Sequence, residues 1–152
     1  MKKNEVKNAE EGLLLVSDVM TTQVVSLNTE DIVSEVYQIF SELNIHHIPV
    51  VHKEDHIVGI VSKSDLERIS SGISLFSQNR KKEFNEVLYR TLRVSEIMTP
   101  QPECVNPDLS LKEAILLFRE NKFRALPVVE ENRMIGIITP YDIMLFFAEN
   151  FL

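Results

Sequence analysis

The chain has 152 residues, of which 44% are hydrophobic and 26% are charged, and its formal net charge is −7 at pH 7. The acidic balance argues against nucleic acid as a main partner, because binding to a phosphate backbone depends on clustered Lys and Arg. The longest apolar stretches fall far short of the roughly 18 residues that span a bilayer, so no membrane segment is predicted.

The N-terminus and the cysteine content both predict a cytoplasmic protein. Residues 1–12 are polar and rich in charged side chains, where a secretory signal would carry an apolar run of about 7 to 15 residues. The single cysteine, Cys104, has no partner for an internal disulfide, which agrees with a reducing compartment. We expect a buried thiol on a strand there rather than a nucleophile.

The most informative feature of the sequence is an internal repeat. Residues Val16–Val51 align without a gap with Val94–Val129. This alignment gives 12 identities in 36 positions, namely Val16, Ser17, Met20, Thr21, Gln23, Asn28, Glu35, Phe40, Glu42, Pro49, Val50 and Val51 with their counterparts. Two copies of one small unit predict a pseudo-symmetric body with related clefts.

Hydrophobic periodicity predicts the order strand, helix, strand, strand, helix in the first copy, after an opening turn at Val16–Met20. The predicted elements are an extended segment at Val24–Leu27, a helix from Ile32 to Leu43 with Asn28 or Thr29 as its cap, strands at Ile48–Val51 and Ile57–Ser62, and a helix at Lys63–Ile69. A hairpin joins the two later strands.

The second copy repeats this order after an opening turn at Val94–Met98. Its predicted elements are an extended segment at Pro102–Val105, a helix spanning Leu111 to Phe118 with Asp108 or Ser110 as its cap, strands at Leu126–Val129 and Met134–Thr139, and a helix at Pro140–Ala148. The two orders predict an α/β fold of the α+β type, in which the two repeats pack through their sheets.

A helical connector is predicted between the copies, because Asn79–Leu92 carries apolar residues at helical spacing among charges. It either covers a cleft edge or a partner surface, or it is a spacer that buries its own apolar face. The predicted organisation is an N-terminal tail at 1–15, repeat 1 at 16–69, the connector at 70–93, repeat 2 at 94–148 and a C-terminal tail at 149–152.

The two strand-to-helix junctions, Gly59–Asp65 and Gly136–Asp142, are the strongest candidates for a ligand site. In each, a hydroxyl residue is followed three positions later by a carboxylate. A helix N-terminus favours a phosphate, and a carboxylate can accept both hydroxyls of a ribose. The same spacing also fits a helix capping box, and spacing alone does not decide between the two.

Three motifs occur in both copies, namely Asp18-Val19-Met20-Thr21 with Glu96-Ile97-Met98-Thr99, Ile48-Pro49-Val50-Val51 with Leu126-Pro127-Val128-Val129, and the two junctions. Over Val16 to Phe147 the chain resembles the CBS domain family in a tandem pair, known as a Bateman module. The resemblance implies a regulatory sensor rather than a catalyst. It also implies clefts for adenosine-derived ligands such as AMP, ADP, ATP or S-adenosylmethionine, with no catalytic cofactor.

The resemblance also implies which residues bind the ligand. The ribose-binding acids fall on Asp65 and Asp142, and the hydroxyl partners on Ser62 and Thr139. Other ligand-lining residues implied by the resemblance are Ser64 and Tyr141 beside the ligand, His46, His47 and Arg124 as the basic positions, and Thr21, Val24 and Val25 at the adenine slot.

The two clefts are not expected to be equivalent. Ala125 stands where the first copy has His47, which leaves Arg124 as the single permanent cation near the cleft position of the second copy. Glu103 and Glu130 would oppose a polyphosphate, so AMP or ADP is easier to accommodate than ATP. The resemblance leaves open which acid faces which extended segment.

The four histidines, His46, His47, His52 and His56, invite a metal hypothesis that we do not favour. His46 and His47 point to opposite sides of an extended segment, whereas a metal site needs three or four converging ligands. The sequence also lacks a hydrolase elbow, a phosphate-binding lysine loop and a zinc-ligand pair at catalytic spacing, so no catalytic residues are predicted.

The leading hypothesis is therefore an adenine-nucleotide sensor that signals by a conformational or oligomeric change. A homodimer is expected because Tyr37, Phe40, Met144, Phe146 and Phe147 make helices too apolar to be fully exposed, although core burial would also account for several of them. A separate effector protein is a further expected partner. The alternative is an interaction scaffold in which Asp65 and Asp142 only cap helices.

Overall fold

A computed structural model describes residues 13–71, 78–121 and 123–152. Its strands are β1 (Leu27–Asn28), β2 (His47–His52), β3 (His56–Ser62), β4 (Thr99–Pro100), β5 (Leu126–Glu130) and β6 (Arg133–Ile138). Its α-helices are α1 (Val33–Glu42), α2 (Lys63–Ser71), α3 (Gln78–Thr91), α4 (Val94–Ile97), α5 (Leu111–Glu120) and α6 (Pro140–Phe151). Most of the predicted N-terminal tail lies outside the described residues.

The chain divides into two compact units that do not coincide with the two sequence repeats. The central unit is the continuous stretch Val25–Pro102. The C-terminal unit joins the chain up to Val24 with Glu103–Leu152. Each unit therefore combines the opening segment of one repeat with the helices and hairpin of the other.

The central unit contains a four-stranded sheet in the order β1-β2-β3-β4. Strand β1 is parallel to β2, while β2, β3 and β4 pair antiparallel, with Thr99 opposite Ile60 and Pro100 opposite Gly59. The four central residues of β2, Ile48–Val51, are all buried, and Gly59 and Val61 are buried in β3. The core residues are Leu27, Val33, Val36, Phe40, Ile48, Val50, Val61, Leu66 and Val94.

The C-terminal unit repeats this arrangement around the β5–β6 hairpin. Val105 forms a parallel bridge with Val128, and Thr21 forms an antiparallel bridge with Ile137. These single bridges stand where β1 and β4 stand in the central unit. The core residues are Val16, Val105, Leu111, Ala114, Leu126, Val128, Ile138 and Ile143.

Two glycines let the opening segments approach the hairpins closely. A Cβ atom on Gly136 would lie 2.7 Å from Met20 Sδ and 2.9 Å from the carbonyl oxygen of Thr21. A Cβ atom on Gly59 would lie 2.3 Å from Met98 Sδ. The glycine of each junction is thus explained by packing beside the opening segment.

The mixed α/β fold and its order of elements are confirmed, whereas one predicted cap is wrong. Helix α5 has the predicted cap Ser110, whose hydroxyl accepts from Glu113 N at 3.2 Å. Helix α1 is preceded by Ile32 and not by Asn28 or Thr29. The carbonyl of Thr29 instead accepts from Ser95 N at 3.1 Å, so that residue holds the segment before β4.

The connector helix forms as predicted, as α3, and buries part of its apolar face. Tyr89 and Leu92 pack against the core of the central unit, while Phe84 and Val87 are exposed. The spacer interpretation accounts for the buried side. Within the described ranges, no helix is both long enough and apolar enough to cross a membrane.

Candidate functional site

The junction of the C-terminal unit is built around the first turn of α6. Thr139 is the N-cap, and its hydroxyl accepts from Asp142 N at 3.2 Å. Asp142 Oδ2 accepts from Thr139 N at 2.7 Å and from Thr139 Oγ1 at 2.6 Å. These contacts between Thr139 and Asp142 make a capping box. Pro140 follows the cap, and proline is well suited to the first position of a helix.

The other oxygen of Asp142 faces the opening segment of the chain. Thr21 Oγ1 donates to Asp142 Oδ1 at 3.0 Å. The backbone of Thr21 is held in place by two hydrogen bonds, from Thr21 N to the oxygen of Ile137 at 2.9 Å and from Ile137 N to the oxygen of Thr21 at 3.0 Å. The structure therefore brings Thr21, Thr139 and Asp142 together, with Thr21 exposed and Asp142 half-buried.

The junction of the central unit has the same capping box with a different second partner. Asp65 Oδ2 accepts from Ser62 N at 2.7 Å and from Ser62 Oγ at 2.8 Å. Its Oδ1 pairs with the guanidinium of Arg68, one turn along α2. The Asp65 side chain is 7% exposed and that of Arg68 is 73% exposed. In both junctions one carboxylate oxygen caps the helix. The second oxygen has a different partner in each junction, Thr21 for Asp142 and Arg68 for Asp65.

The two histidines predicted as basic ligand contacts, His46 and His47, lie beside the junction of the central unit. The carbonyl of His46 accepts from Lys63 N at 3.1 Å, and His47 pairs with Ser62 across β2 and β3. His46 is exposed and His47 is half-buried. Ser64, in the first turn of α2, is exposed. These side chains border the end of the hairpin from which α2 departs.

The remaining predicted residues are divided between the units. Val24 belongs to the C-terminal unit, whereas Val25 belongs to the central unit. Tyr141 is 62% exposed in the first turn of α6. Arg124 is exposed two positions before β5. Both are therefore exposed in the unit that contains Asp142, one in the first turn of α6 and the other just before β5.

Cys104 is half-buried and lies outside the strands, next to the single bridge at Val105, so the expected buried thiol on a strand was wrong. Burial raises the pKa of the Cys104 thiol, and the neighbouring Glu103 carboxylate raises it further. Both effects disfavour the thiolate, which is the nucleophilic form. Across residues 13–71, 78–121 and 123–152, no three His, Cys, Asp or Glu side chains come together as a metal site would require.

Sequence reasoning missed Arg68. Its signal was present, because Asp65 and Arg68 are three residues apart on a predicted helix, a spacing that brings opposite charges together. The equivalent position in the second copy is Leu145, which is apolar. The difference lies three residues beyond the repeated motif, which ends at the carboxylate.

Comparison with known proteins decides the family. The sequence model of the CBS domain matches residues 16–72 and 94–149, most of the chain. The chain belongs to the CBS domain family. It carries two CBS domains, and each junction described above lies at the end of one of them.

Relatives of the chain include proteins of similar and of much greater length. It is 28% identical to the uncharacterized protein MJ1426 of Methanocaldococcus jannaschii, over 87% of this chain and 90% of that protein. It is 31% identical to inosine-5'-monophosphate dehydrogenase of the same organism, over 84% of this chain but only 22% of the enzyme. The second match therefore concerns a small part of that enzyme.

Solved CBS-pair structures share the fold. The Arabidopsis thaliana CBS-pair protein CBSX2 matches with a TM-score of 0.76 and 25% identity, over 91% of this chain and 96% of that chain. A structure of CBSX2 in complex with AMP matches with a TM-score of 0.72 and 26% identity, over 90% and 97% of the two chains. Both structures are of the CBS-pair protein CBSX2, and one of them is a complex with AMP.

Proposed function

We propose that this CBS pair is a regulatory module that binds an adenosine-derived ligand and signals through a conformational or oligomeric change. Support comes from CBSX2, which was crystallised with AMP and matches nearly its whole chain to this one. AMP is accordingly the first ligand to test. We assign the chain no catalytic step.

The observation that carries the proposal is the second oxygen of Asp142. Because it accepts from the exposed hydroxyl of Thr21, a ribose hydroxyl can replace one neutral donor with another. The cap itself would survive this exchange, since it uses Oδ2. In the proposed complex the ribose lies against Asp142, and the phosphate lies near the Thr139 hydroxyl and the N-terminus of α6.

Charge around the C-terminal unit favours a small phosphate group. Arg124 would supply the cation, as the position of a basic residue in the family implies. Glu103 and Glu130 are exposed in the same unit and would repel additional phosphates. We therefore place AMP and ADP ahead of ATP, with S-adenosylmethionine as the alternative adenosine-derived ligand.

The proposed output is self-association through α6. This helix begins at the candidate site and exposes large apolar side chains further along, namely Met144, Leu145, Phe147 and Phe151. A ligand that favours one arrangement of the first turn would change how this face is presented, and so shift a population. A homodimer, and a separate effector protein that reads it, are the proposed partners in the cytoplasm.

The competing function is an interaction scaffold without a small-molecule ligand. The specific observation in its favour is that both carboxylates accept hydrogen bonds from their own cap residues. In that case Asp65 and Asp142 stabilise helices and nothing else. The apolar face of α6 would then bind a partner regardless of nucleotide.

Titration calorimetry with AMP, ADP, ATP and S-adenosylmethionine separates the two functions. The sensor predicts heat with at least one ligand, and loss of that heat in Asp142→Ala. Glu113→Ala is the matched control, because Glu113 closes the same capping box with Ser110 at the start of α5. No heat with any of the four ligands, together with no thermal shift, would contradict the sensor and favour the scaffold.

A further inference from the structure

The two junctions differ at the oxygen that a ribose would use. In the C-terminal unit Asp142 Oδ1 accepts from the neutral hydroxyl of Thr21. In the central unit Thr99 makes the equivalent strand pairing with Ile60, yet it is Arg68 that donates to Asp65 Oδ1. The same carboxylate position is therefore held by a hydroxyl in one unit and by a guanidinium in the other.

This difference corresponds to a single position that is charged in the first repeat and apolar in the second. Arg68 and Leu145 both stand three residues after the acid of their junction. Leu145 is apolar and cannot donate a hydrogen bond to Asp142. Arg68 is on the same helical face as Asp65 and reaches it from an exposed stem, so the charged head closes over a nearly buried carboxylate.

Replacing these two donors has different consequences. A ribose hydroxyl that displaces the Thr21 hydroxyl exchanges like for like. A ribose hydroxyl that displaces Arg68 gives up a charge-assisted hydrogen bond, which is roughly twice as strong as a neutral one. It also leaves Asp65 without its cation in a site that water reaches poorly, because the Asp65 side chain is 7% exposed.

We propose that Arg68 is a latch on the Asp65 site, so that this chain binds one nucleotide, at Asp142, although it carries two ribose-type carboxylates. This inference rests on the proposed function. It makes Arg68 a specificity-determining residue, which competes with the sugar rather than binding it. Removal of Arg68 then opens the second site.

The test is calorimetry with AMP on the full chain and on two reciprocal variants. Arg68→Leu copies the second repeat into the first and is expected to bind a second equivalent of AMP. Leu145→Arg copies the first repeat into the second and is expected to weaken AMP at Asp142 by about 10-fold to 100-fold. Arg90→Leu, which removes an exposed cation of the same unit from α3, is the control and should stay at one equivalent.

The direction of the Arg68→Leu effect separates the latch from simple electrostatics, because losing a cation would by itself weaken the binding of an anion. Two equivalents bound by the unaltered protein, or one equivalent still bound by Arg68→Leu, would overturn the latch alone. If neither the unaltered protein nor any of the variants binds AMP, the latch and the AMP site both fail. The results for the other three ligands then decide whether the sensor survives.

Discussion

Asp142 and Glu113 perform the same structural task in the first turns of two helices of the second repeat. Each closes a capping box with a hydroxyl N-cap, Thr139 for α6 and Ser110 for α5. Only Asp142 has a second oxygen facing another segment of the chain. The contribution of the cap can therefore be separated from the contribution of the ligand contact.

We expect Asp142→Ala and Glu113→Ala each to lower the free energy of unfolding by about 0.5–2 kcal/mol, the usual cost of losing a helix cap. Urea unfolding followed by circular dichroism measures both. Loss of AMP binding should accompany the first substitution alone. Wild-type affinity for AMP in a folded Asp142→Ala protein would remove the ribose role.

Gly136 and Gly59 are predicted to tolerate alanine unequally. A methyl group at Gly136 meets the backbone oxygen of Thr21, so the Thr21–Ile137 bridge must shift. At Gly59 the three atoms nearest to the new group all belong to the flexible side chain of Met98. Gly136→Ala should cost about 1–3 kcal/mol of unfolding free energy, and Gly59→Ala less. Thermal denaturation of the two variants gives the order, and an equal or larger loss for Gly59→Ala contradicts it.

At the scale of the elements, the sequence predicted helices and hairpins well because their signals are local. The face repeated at three- and four-residue steps gave α1 and α5, and the apolar runs gave β2, β3, β5 and β6. The cap of α1 was missed because the helix begins only at Val33, after a turn in which the Asp31 carboxylate accepts from Asn28 N. The carbonyls of Thr29 and Asp31 in this turn accept from Ser95 N and Val94 N. The turn before α1 is therefore held by a segment more than 60 residues away in the sequence, and local propensity carries no information about that contact.

The apolar face of α6 is predicted to hold a dimer together. Met144 is 61% exposed, and a charge there would oppose burial against a second chain. We predict that the unaltered protein sediments as a dimer and that Met144→Glu sediments as a folded monomer, as measured by sedimentation velocity. Val87→Glu, at a 60% exposed position of α3, is the control. A dimer that survives Met144→Glu, or dissociates with Val87→Glu, contradicts this assignment.

At the scale of the whole molecule, the repeat predicted two related sites but not how they are assembled. Thr21 belongs to the first sequence copy, and its partners Ile137 and Asp142 belong to the second. Likewise Thr99 of the second copy pairs with Ile60 of the first. Because the copies share the same motifs, either pairing satisfies the sequence, and only the path of the chain between them selects one.

The ligand site proposed at Thr21 and Asp142 is tested most directly by titrating isotope-labelled protein with AMP and following the amide signals in two-dimensional NMR. The proposal places the ligand between the opening segment and the first turn of α6. We predict that the amide signals of Thr21, Ile137 and Asp142 move together and saturate, while those of Thr99 and Ile60 stay close to their starting positions. Signals of Thr21 and Asp142 that do not move at saturating AMP would contradict the proposed site.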